Sequence, residues 1–160
     1  NGKLYSGFDE DYVWAIGSLA GKADIILPNV TEAAILSGLP YQENIDKNYV
    51  NQLLNGLNHP CAVLTGVDFD EDSTGIVLQE GTVQHEYRHK RIGNGCHGTG
   101  DIFAAVFTGA LMQGKNRLDA AKIAADFTCR CIKNTVNAPA HWYGVKFEPL
   151  LPELMEMPGR

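Results

Sequence analysis

The chain has 160 residues, of which 44% are hydrophobic and 20% are charged, a balance typical of a soluble globular protein with one core of ordinary size. The formal net charge of −6 and the lack of a basic stripe argue against a nucleic-acid partner. No apolar run approaches the roughly 20 residues of a membrane span, and the first residues resemble neither a signal peptide nor a transit peptide, so we expect no membrane partner.

Apolar periodicity and capping residues predict alternating helices and strands. In chain order these are a helix over 8–21, a strand over 23–27, a helix over 29–37, a helix around 45–57, a strand over 61–65, a hairpin over 74–79 and 82–88, a helix from about 100 to 114 and a helix over 119–136. The alternation favours an α/β sheet with mostly parallel pairing, and the hairpin adds an antiparallel edge.

The start of the chain is unusual for an α/β domain, which normally opens on a strand. Here a turn-like Asn1-Gly2 precedes the first helix. We therefore expect the C-terminal portion of a longer protein. A complete small domain with a loose N-terminus is the alternative.

A glycine-rich turn before a predicted helix contains Gly98-Thr99-Gly100-Asp101. Glycines let the backbone approach a ligand closely, and amides at a helix N-terminus attract anions. The amides of this turn can form an anion hole over a transferred phosphoryl group while Asp101 takes the proton of the attacking hydroxyl. The motif indicates phosphoryl transfer to an alcohol. The alternative is an ordinary helix start in which Asp101 complements the dipole.

A second polar group, Asn29 and Glu32, follows a predicted strand, at the kind of position where open α/β sheets bind ligands. The two residues share one face of the first helical turn, and their oxygens suit Mg²⁺ with its waters. A capping box, with Asn29 as the N-cap, is the structural alternative.

The third motif, Thr65 and Gly66, lies at the end of the apolar strand 61–65. These two residues either contact a nucleotide phosphate or only terminate the strand. Because ligands of α/β sheets bind at the carboxyl ends of strands, we expect the three motifs to share one crevice. The basic run His89–Arg91 is a solvated strand end or a nucleotide-facing edge. The four cysteines show no zinc-type spacing to histidines, which favours reduced thiols in a cytoplasmic protein.

Taken in order, Pro28–Ala33, Leu64–Gly66 and Gly98–Ala105 resemble the ribokinase-like superfamily, and within it the vitamin B6 (pyridoxal/pyridoxamine) kinases. The 142–148 tail adds to the likeness. The resemblance implies a three-layer α/β/α fold with a mostly parallel sheet and an antiparallel edge hairpin. It also implies that residues 1–160 form a single domain, the C-terminal ATP-binding and catalytic part of a kinase, incomplete at its N-terminus.

The resemblance further implies ATP- and Mg²⁺-dependent phosphorylation of the 5′-hydroxymethyl group of pyridoxal, pyridoxine or pyridoxamine. Asp101 matches the catalytic base, and Gly98, Thr99 and Gly100 match the anion hole, with Thr99 near the ATP phosphates. Asn29 and Glu32 match the element that organises Mg²⁺. The other matches are nucleotide-flanking positions and one tyrosine of the metal or phosphate region: Thr65, Gly66, His89, Lys90, Arg91 and Ile92 for the nucleotide, and Tyr5 for the metal.

Some features depart from the family pattern. Leu27 stands where many relatives have a Thr or Ser that contacts ATP, and the long N-terminal portion that supplies much of their ring pocket has no counterpart here. The hydroxymethylpyrimidine kinase branch usually has Cys at the position of Asp101, which favours a B6 substrate, although some bacterial B6 kinases also carry Cys.

The alternatives are another ribokinase-like kinase, for hydroxymethylpyrimidine, a sugar or a nucleoside, and a nucleotide-binding fragment without turnover. Relatives of this kind commonly dimerise, so we expect a homodimer.

Overall fold

The computed structural model describes residues 9–93, 96–136, 138 and 144–155. Its elements are α1 (Glu10–Ala20), α2 (Val30–Ser37), α3 (Lys47–Leu57), β1 (Cys61–Asp68), β2 (Ser73–Glu80), β3 (Val83–Lys90), α4 (Thr99–Met112), α5 (Arg117–Val136), a 3-10 turn (Glu148–Leu150) and α6 (Leu151–Met155). The described residues form two compact units that divide after His89.

The core of the first unit lies between the helices α2 and α3 and the strand β1. Tyr49, Leu53 and Leu54 recur at helical spacing on α3 and are buried against Ala33 and Ala34 of α2. The buried Tyr49 hydroxyl donates a hydrogen bond to the Pro40 carbonyl at 2.9 Å, so the ring enters the core without an unpaired polar atom.

The three named strands form a sheet in the order β1-β2-β3. β1 pairs with β2 in antiparallel register, from Cys61 opposite Glu80 to Asp68 opposite Thr74. β2 and β3 are joined by two loop residues beginning at Gly81, whose φ of 58° meets the positive φ that a type II′ turn needs at its first position. The predicted hairpin is confirmed, with its loop one residue later than expected.

A short extended segment, 26–29, runs parallel to β1. The Val63 N–H donates to the Ile26 carbonyl at 2.9 Å, and the Thr65 N–H donates to the Pro28 carbonyl at 2.9 Å. The strand expected over 23–27 is therefore reduced to isolated parallel bridges at Ile26 and Asn29. Pro28 limits the pairing because it has no N–H to donate. The parallel bridges at β1 and the antiparallel hairpin agree with the expected α/β sheet, although within the described residues the continuous pairing, that of β1 with β2, is antiparallel.

The second unit is built on α4 and α5, which pack along each other. Phe103 and Phe107 of α4 are buried, and their rings stack with centroids 6.2 Å apart. On α5 the buried positions are mostly small, so the two helices can approach closely: Ala120, Ala121, Ala124 and Ala125. This packing fixes the axis of α4, whose first turn carries the glycine motif.

Most element boundaries differ from the sequence expectations by one to three residues, and three differences have an identifiable cause. α5 begins at Arg117 rather than 119, because the Asn116 side chain accepts the Asp119 N–H at 2.8 Å and caps the helix. α6 and the 3-10 turn before it were not predicted, since two prolines, at 149 and 152, interrupt any apolar period there. α1 begins at Glu10, and Phe8 of the predicted 8–21 helix lies outside the described residues.

Within the residues that the structure describes, no helix combines the length and the apolar character needed to cross a bilayer.

Candidate active site

The first turn of α4 presents a row of backbone amides with no acceptor inside the helix. Gly98 is the N-cap, and the first helical hydrogen bond runs from the Ile102 N–H to the Gly98 carbonyl at 3.1 Å. The amides of Thr99, Gly100 and Asp101 precede that bond, so they have no intrahelical partner. No side-chain hydrogen bond caps this terminus. The amides and the helix dipole together form an electropositive end that suits an anion.

The other helices of eight or more residues begin differently. Asp9 accepts the Tyr12 N–H at 2.9 Å in α1, and Asp46 accepts the Tyr49 N–H at 2.7 Å in α3. α2 and α5 are capped by asparagine side chains. Gly98 has φ 82° and ψ 3°, a left-handed conformation, whereas side-chain N-caps require an extended one. The backbone conformation at Gly98 therefore excludes capping of α4 by a side chain at this position.

Asp101 is exposed in the first turn of α4, on the third helical residue. Among the described residues, none donates a hydrogen bond to its carboxylate at the helix start. Its place in the first turn also fits the alternative in which Asp101 only complements the helix dipole. The carboxylate stands at an electropositive terminus and can accept a proton from an approaching hydroxyl.

Gly100 has open space where a side chain would be. A Cβ built on it meets no heavy atom within 4 Å, and its φ is not in the left-handed region. Neither packing nor backbone strain therefore requires glycine there, although glycine weakens a helix relative to alanine. The backbone of Gly100 is therefore open to the approach of a ligand from the side on which a Cβ would stand.

Asn29 and Glu32 form a reciprocal capping box at the start of α2. The Glu32 N–H donates to Asn29 Oδ1 at 2.9 Å, and the Asn29 N–H donates to Glu32 Oε2 at 2.9 Å. The structural alternative for this pair is therefore present. Because only Oε2 of the exposed Glu32 carboxylate is used in the box, the same side chain can still offer Oε1 to a cation or to its water.

Thr65 and Gly66 lie beside this capping box, because Asn29 and Thr65 are paired in a parallel bridge. The Thr65 hydroxyl donates to the Pro28 carbonyl at 3.4 Å, a long bond. Gly66 has φ 67° and occupies a β-bulge, where the register of β1 against β2 shifts between Thr65 and Val67. The structure thus brings two of the three predicted motifs together within the first unit.

For the remaining predicted site residues the structure gives a position in the fold but no contact to the motifs above. His89 and Lys90 end β3, and Arg91 and Ile92 follow it; His89 and Ile92 are half-buried, and the two between them are exposed. Gly98 to Asp101 belong to the second unit. Tyr5 lies outside the described residues.

A metal held by side chains alone is not supported in the described parts of the chain. No group of three or more His, Cys, Asp or Glu residues there has the arrangement for an ion. A single carboxylate with waters and phosphate oxygens is the usual way in which proteins hold nucleotide-bound Mg²⁺. Glu32 fits that mode, whereas a protein-only metal centre is not what these residues fit.

Two of the cysteines, Cys129 and Cys131, behave as structural thiols. Burial, reinforced by Asp126, raises the pKa of Cys129 to about 12, and burial raises the pKa of Cys131 to about 11. Both side chains therefore stay protonated near neutral pH and are poor nucleophiles. The expectation of reduced thiols agrees with the absence of disulfides among the four cysteines.

Two polar residues escaped the sequence analysis. His59 is buried, with Nε2 2.9 Å from the Ala23 carbonyl, which ties the residues before segment 26–29 to the start of β1. Thr135 is buried near the end of α5 and bonds to the chain at Lys146. The bonds that tie distant parts of the chain together, from His59 to Ala23 and from Thr135 to Lys146, span at least 11 residues and leave no local sequence signal.

Comparison with known proteins identifies the family. The sequence profile of the family described as phosphomethylpyrimidine kinase matches residues 6–145. The chain belongs to the phosphomethylpyrimidine kinase family. A hydroxymethylpyrimidine/phosphomethylpyrimidine kinase from Aquifex aeolicus is 27% identical over 113 residues, which are 70% of this chain and 44% of the relative. The chain spans about half the length of the curated relatives it matches.

Solved structures agree on the ribokinase-like fold. A phosphomethylpyrimidine kinase candidate from Bacteroides thetaiotaomicron superposes with a TM-score of 0.89 at 29% identity, over 99% of this chain and 56% of that one; another of its crystal forms contains pyridoxal. The pyridoxal kinase of Lactobacillus plantarum superposes with a TM-score of 0.82 at 33% identity, over 96% of this chain and 57% of that one. An ADP complex of Bacillus subtilis pyridoxal kinase superposes with a TM-score of 0.73 at 25% identity, over 88% of this chain and 54% of that one.

The open space at Gly100 generates the first prediction. Gly100→Ala should raise the free energy of unfolding by about 0.5–1 kcal/mol, the usual gain for alanine over glycine inside a helix. The same change should weaken phosphate or ATP binding if a phosphate approaches the backbone of Gly100, because the added Cβ hinders that approach. Thermal unfolding and calorimetric titration measure the two effects.

Gly109→Ala is the matched control, since Gly109 is a second α4 glycine with no atom within 4 Å of its built Cβ. It should stabilise the protein similarly and leave anion affinity unchanged. Equal affinities for the Gly100 variant and the unmodified chain would show that the first turn of α4 holds no phosphate.

Proposed function

We propose that the polypeptide carrying these residues is an ATP-dependent kinase that phosphorylates a hydroxymethyl group on a nitrogen heteroaromatic ring, with a vitamin B6 vitamer as its substrate. The single observation that carries the proposal is the first turn of α4, where amides without a partner inside the helix, an open glycine and an exposed carboxylate occur together. Membership of a kinase family and relatives crystallised with ADP support the use of ATP.

The proposed chemistry assigns a separate task to each part of that turn. The amides of Thr99 and Gly100, with Gly98, hold the transferred phosphoryl group and stabilise its equatorial oxygens. Asp101 accepts the proton of the substrate hydroxyl as its oxygen attacks phosphorus and the bond from phosphorus to the ADP oxygen breaks. Gly100 lets the phosphate approach the backbone without a steric barrier.

The first unit supplies the proposed nucleotide and metal contacts. Mg²⁺, when bound, would neutralise charge on the phosphate oxygens. Asn29 and Glu32 would hold its waters, since the capping box already fixes the orientation of the Glu32 carboxylate. Thr65 and Gly66, next to Asn29, would contact a phosphate. His89 of the first unit and residues 90–92 of the second would flank the nucleotide.

Two heteroaromatic alcohols compete as the substrate. A B6 vitamer is favoured by Asp101, since the hydroxymethylpyrimidine branch usually carries Cys there, and by the 33% identity to a pyridoxal kinase. Hydroxymethylpyrimidine is favoured by the family profile and by relatives named for that activity. A homodimer and a cytoplasmic location complete the proposal.

A substrate panel separates these candidates. Pyridoxal, pyridoxine, hydroxymethylpyrimidine and ribose are each offered with ATP and Mg²⁺, and ADP release is coupled to a spectrophotometric readout. We expect the highest kcat/KM with a B6 vitamer. A higher value with hydroxymethylpyrimidine would transfer the assignment to that substrate, and binding of ATP without turnover of any alcohol would favour the non-catalytic alternative.

The carboxylate of Asp101 is tested by its amide. Asp101→Asn should lower kcat by about 10²–10⁴-fold, the usual contribution of a general base, while ATP affinity stays near that of the unmodified protein. Single-turnover kinetics with calorimetric binding separates the two parameters.

Asp119→Asn is the control, because Asp119 is likewise the third residue of its helix, α5. Its turnover should be unchanged. Near-normal turnover in the Asp101 variant would remove the proton-accepting role.

The two roles of Glu32 can be separated by a conservative change. A capping box accepts Gln in place of Glu, so Glu32→Gln should change stability little. Loss of the negative charge should raise the Mg²⁺ concentration for half-maximal activity by roughly 10–100-fold, the cost of disturbing groups around a metal. Glu43→Gln, at an exposed loop position, is the control. A Mg²⁺ titration identical to that of the unmodified protein would leave Glu32 with capping alone.

A further inference from the structure

The loop that leads into α4 is held by a short segment of chain from much later in the sequence. The Val145 N–H donates to the His97 carbonyl at 3.0 Å, and the buried Val145 side chain lies 3.8 Å from where a Cβ on Gly98 would be. The Thr99 hydroxyl donates to the Cys96 carbonyl at 3.3 Å within the same loop. The carbonyl next to the N-cap of α4 is therefore fixed by Val145.

The next peptide of that segment is held by the end of α5. The Lys146 N–H donates to Thr135 Oγ1 at 2.7 Å, and the Lys146 carbonyl accepts a hydrogen bond from Asn134 Nδ2 at 3.0 Å. Thr135 also donates to the Cys131 carbonyl at 2.7 Å, so its hydroxyl proton is committed and its oxygen is oriented toward Lys146. Thr135 is 7% exposed, and water is a poor substitute acceptor at such a site.

We infer that Thr135 is a positioning residue for the anion-binding amides of α4, acting through Lys146 and Val145. This inference rests on the proposed function of the Gly98–Asp101 turn. The hydroxyl orients the Lys146 N–H, residues 145 and 146 are adjacent, and the Val145 N–H sets the direction of the His97 carbonyl. The peptide between His97 and Gly98 then determines where the amides of Thr99 and Gly100 point.

α5 offers a matched comparison two turns earlier. Thr128 is also buried, but within the described structure its hydroxyl oxygen has no hydrogen-bond partner. Thr135→Val and Thr128→Val remove the same atom from the same helix at similar burial, and only the first leaves a backbone N–H unpaired. Thr135→Ser keeps the hydroxyl and should restore the behaviour of the unmodified chain.

The first measurement needs no ligand. Hydrogen exchange of two hydrogen-bonded amides, those of Val145 and Ile102, is followed in the 160-residue chain and in the three variants, with global stability measured in parallel. Thr135→Val should accelerate exchange at both amides by roughly 5–150-fold, as expected when one buried donor loses its acceptor. Thr135→Ser and Thr128→Val should leave it unchanged. Unchanged exchange in Thr135→Val overturns the inference.

The second measurement is affinity for MgATP and for inorganic pyrophosphate. Thr135→Val should raise both dissociation constants by about tenfold, with little change for Thr128→Val. Faster exchange with unaltered affinity would make Thr135 a structural residue only and overturn the inference. If the unmodified chain binds neither probe, the proposed function fails, while exchange still decides whether Thr135 holds the loop.

Asn134→Ala gives a second route if Thr135→Val fails to fold. Asn134 is half-buried, and its removal deletes the other hydrogen bond to Lys146 without unpairing an N–H. Exchange at the amides of Val145 and Ile102 should then accelerate in the same direction by a smaller factor. No acceleration in a folded Asn134→Ala chain contradicts the link through Lys146.

Discussion

The unpaired amides at the start of α4 are the constraint on which the proposed chemistry depends. A helix normally satisfies one or more of these donors with a side chain from its N-cap, as α1, α2, α3 and α5 do here. α4 instead enters through Gly98 in a left-handed conformation, which no side-chain cap can use. The helix gives up about 1 kcal/mol of capping energy and keeps an electropositive end open to an anion.

An uncapped terminus needs support from elsewhere to stay ordered, and the structure supplies it on two sides. Phe103 and Phe107 anchor α4 in the core of the second unit, one turn and two turns after the glycine motif. The loop before the motif is held by Val145 through the His97 carbonyl. These contacts do not involve the amides of Thr99, Gly100 and Asp101. The first turn of α4 is therefore held in place while its amides stay available to a ligand.

The sequence predicted the features that local signals encode. The α2 capping box, the β2–β3 hairpin and the Gly98 helix start each depend on residues within four positions of one another, and each was found. α6 was missed because its prolines hide a helical period, and Thr135 because its partner lies 11 residues away. Long-range partners of this kind leave no trace in spacing or periodicity.

Asn29 and Glu32 show why a motif can be found correctly and still leave its role undecided. A capping box and a site for hydrated Mg²⁺ both require an amide oxygen and a carboxylate three residues apart, so their sequence patterns coincide. The structure adds that one carboxylate oxygen is engaged by the Asn29 N–H and that Thr65 is paired beside Asn29. Capping therefore orients the carboxylate at the edge shared with Thr65.

The glycines of α4 carry a similar ambiguity, which only their combination with other features resolves. Gly100 and Gly109 both have open space around a built Cβ, so an unfilled glycine is not in itself a sign of a ligand. Gly100 differs because its own amide is one of those that the helix does not pair and because an exposed carboxylate follows it. The proposed function places a phosphate at this turn because a phosphate carries the charge that such donors attract and can approach an open glycine closely.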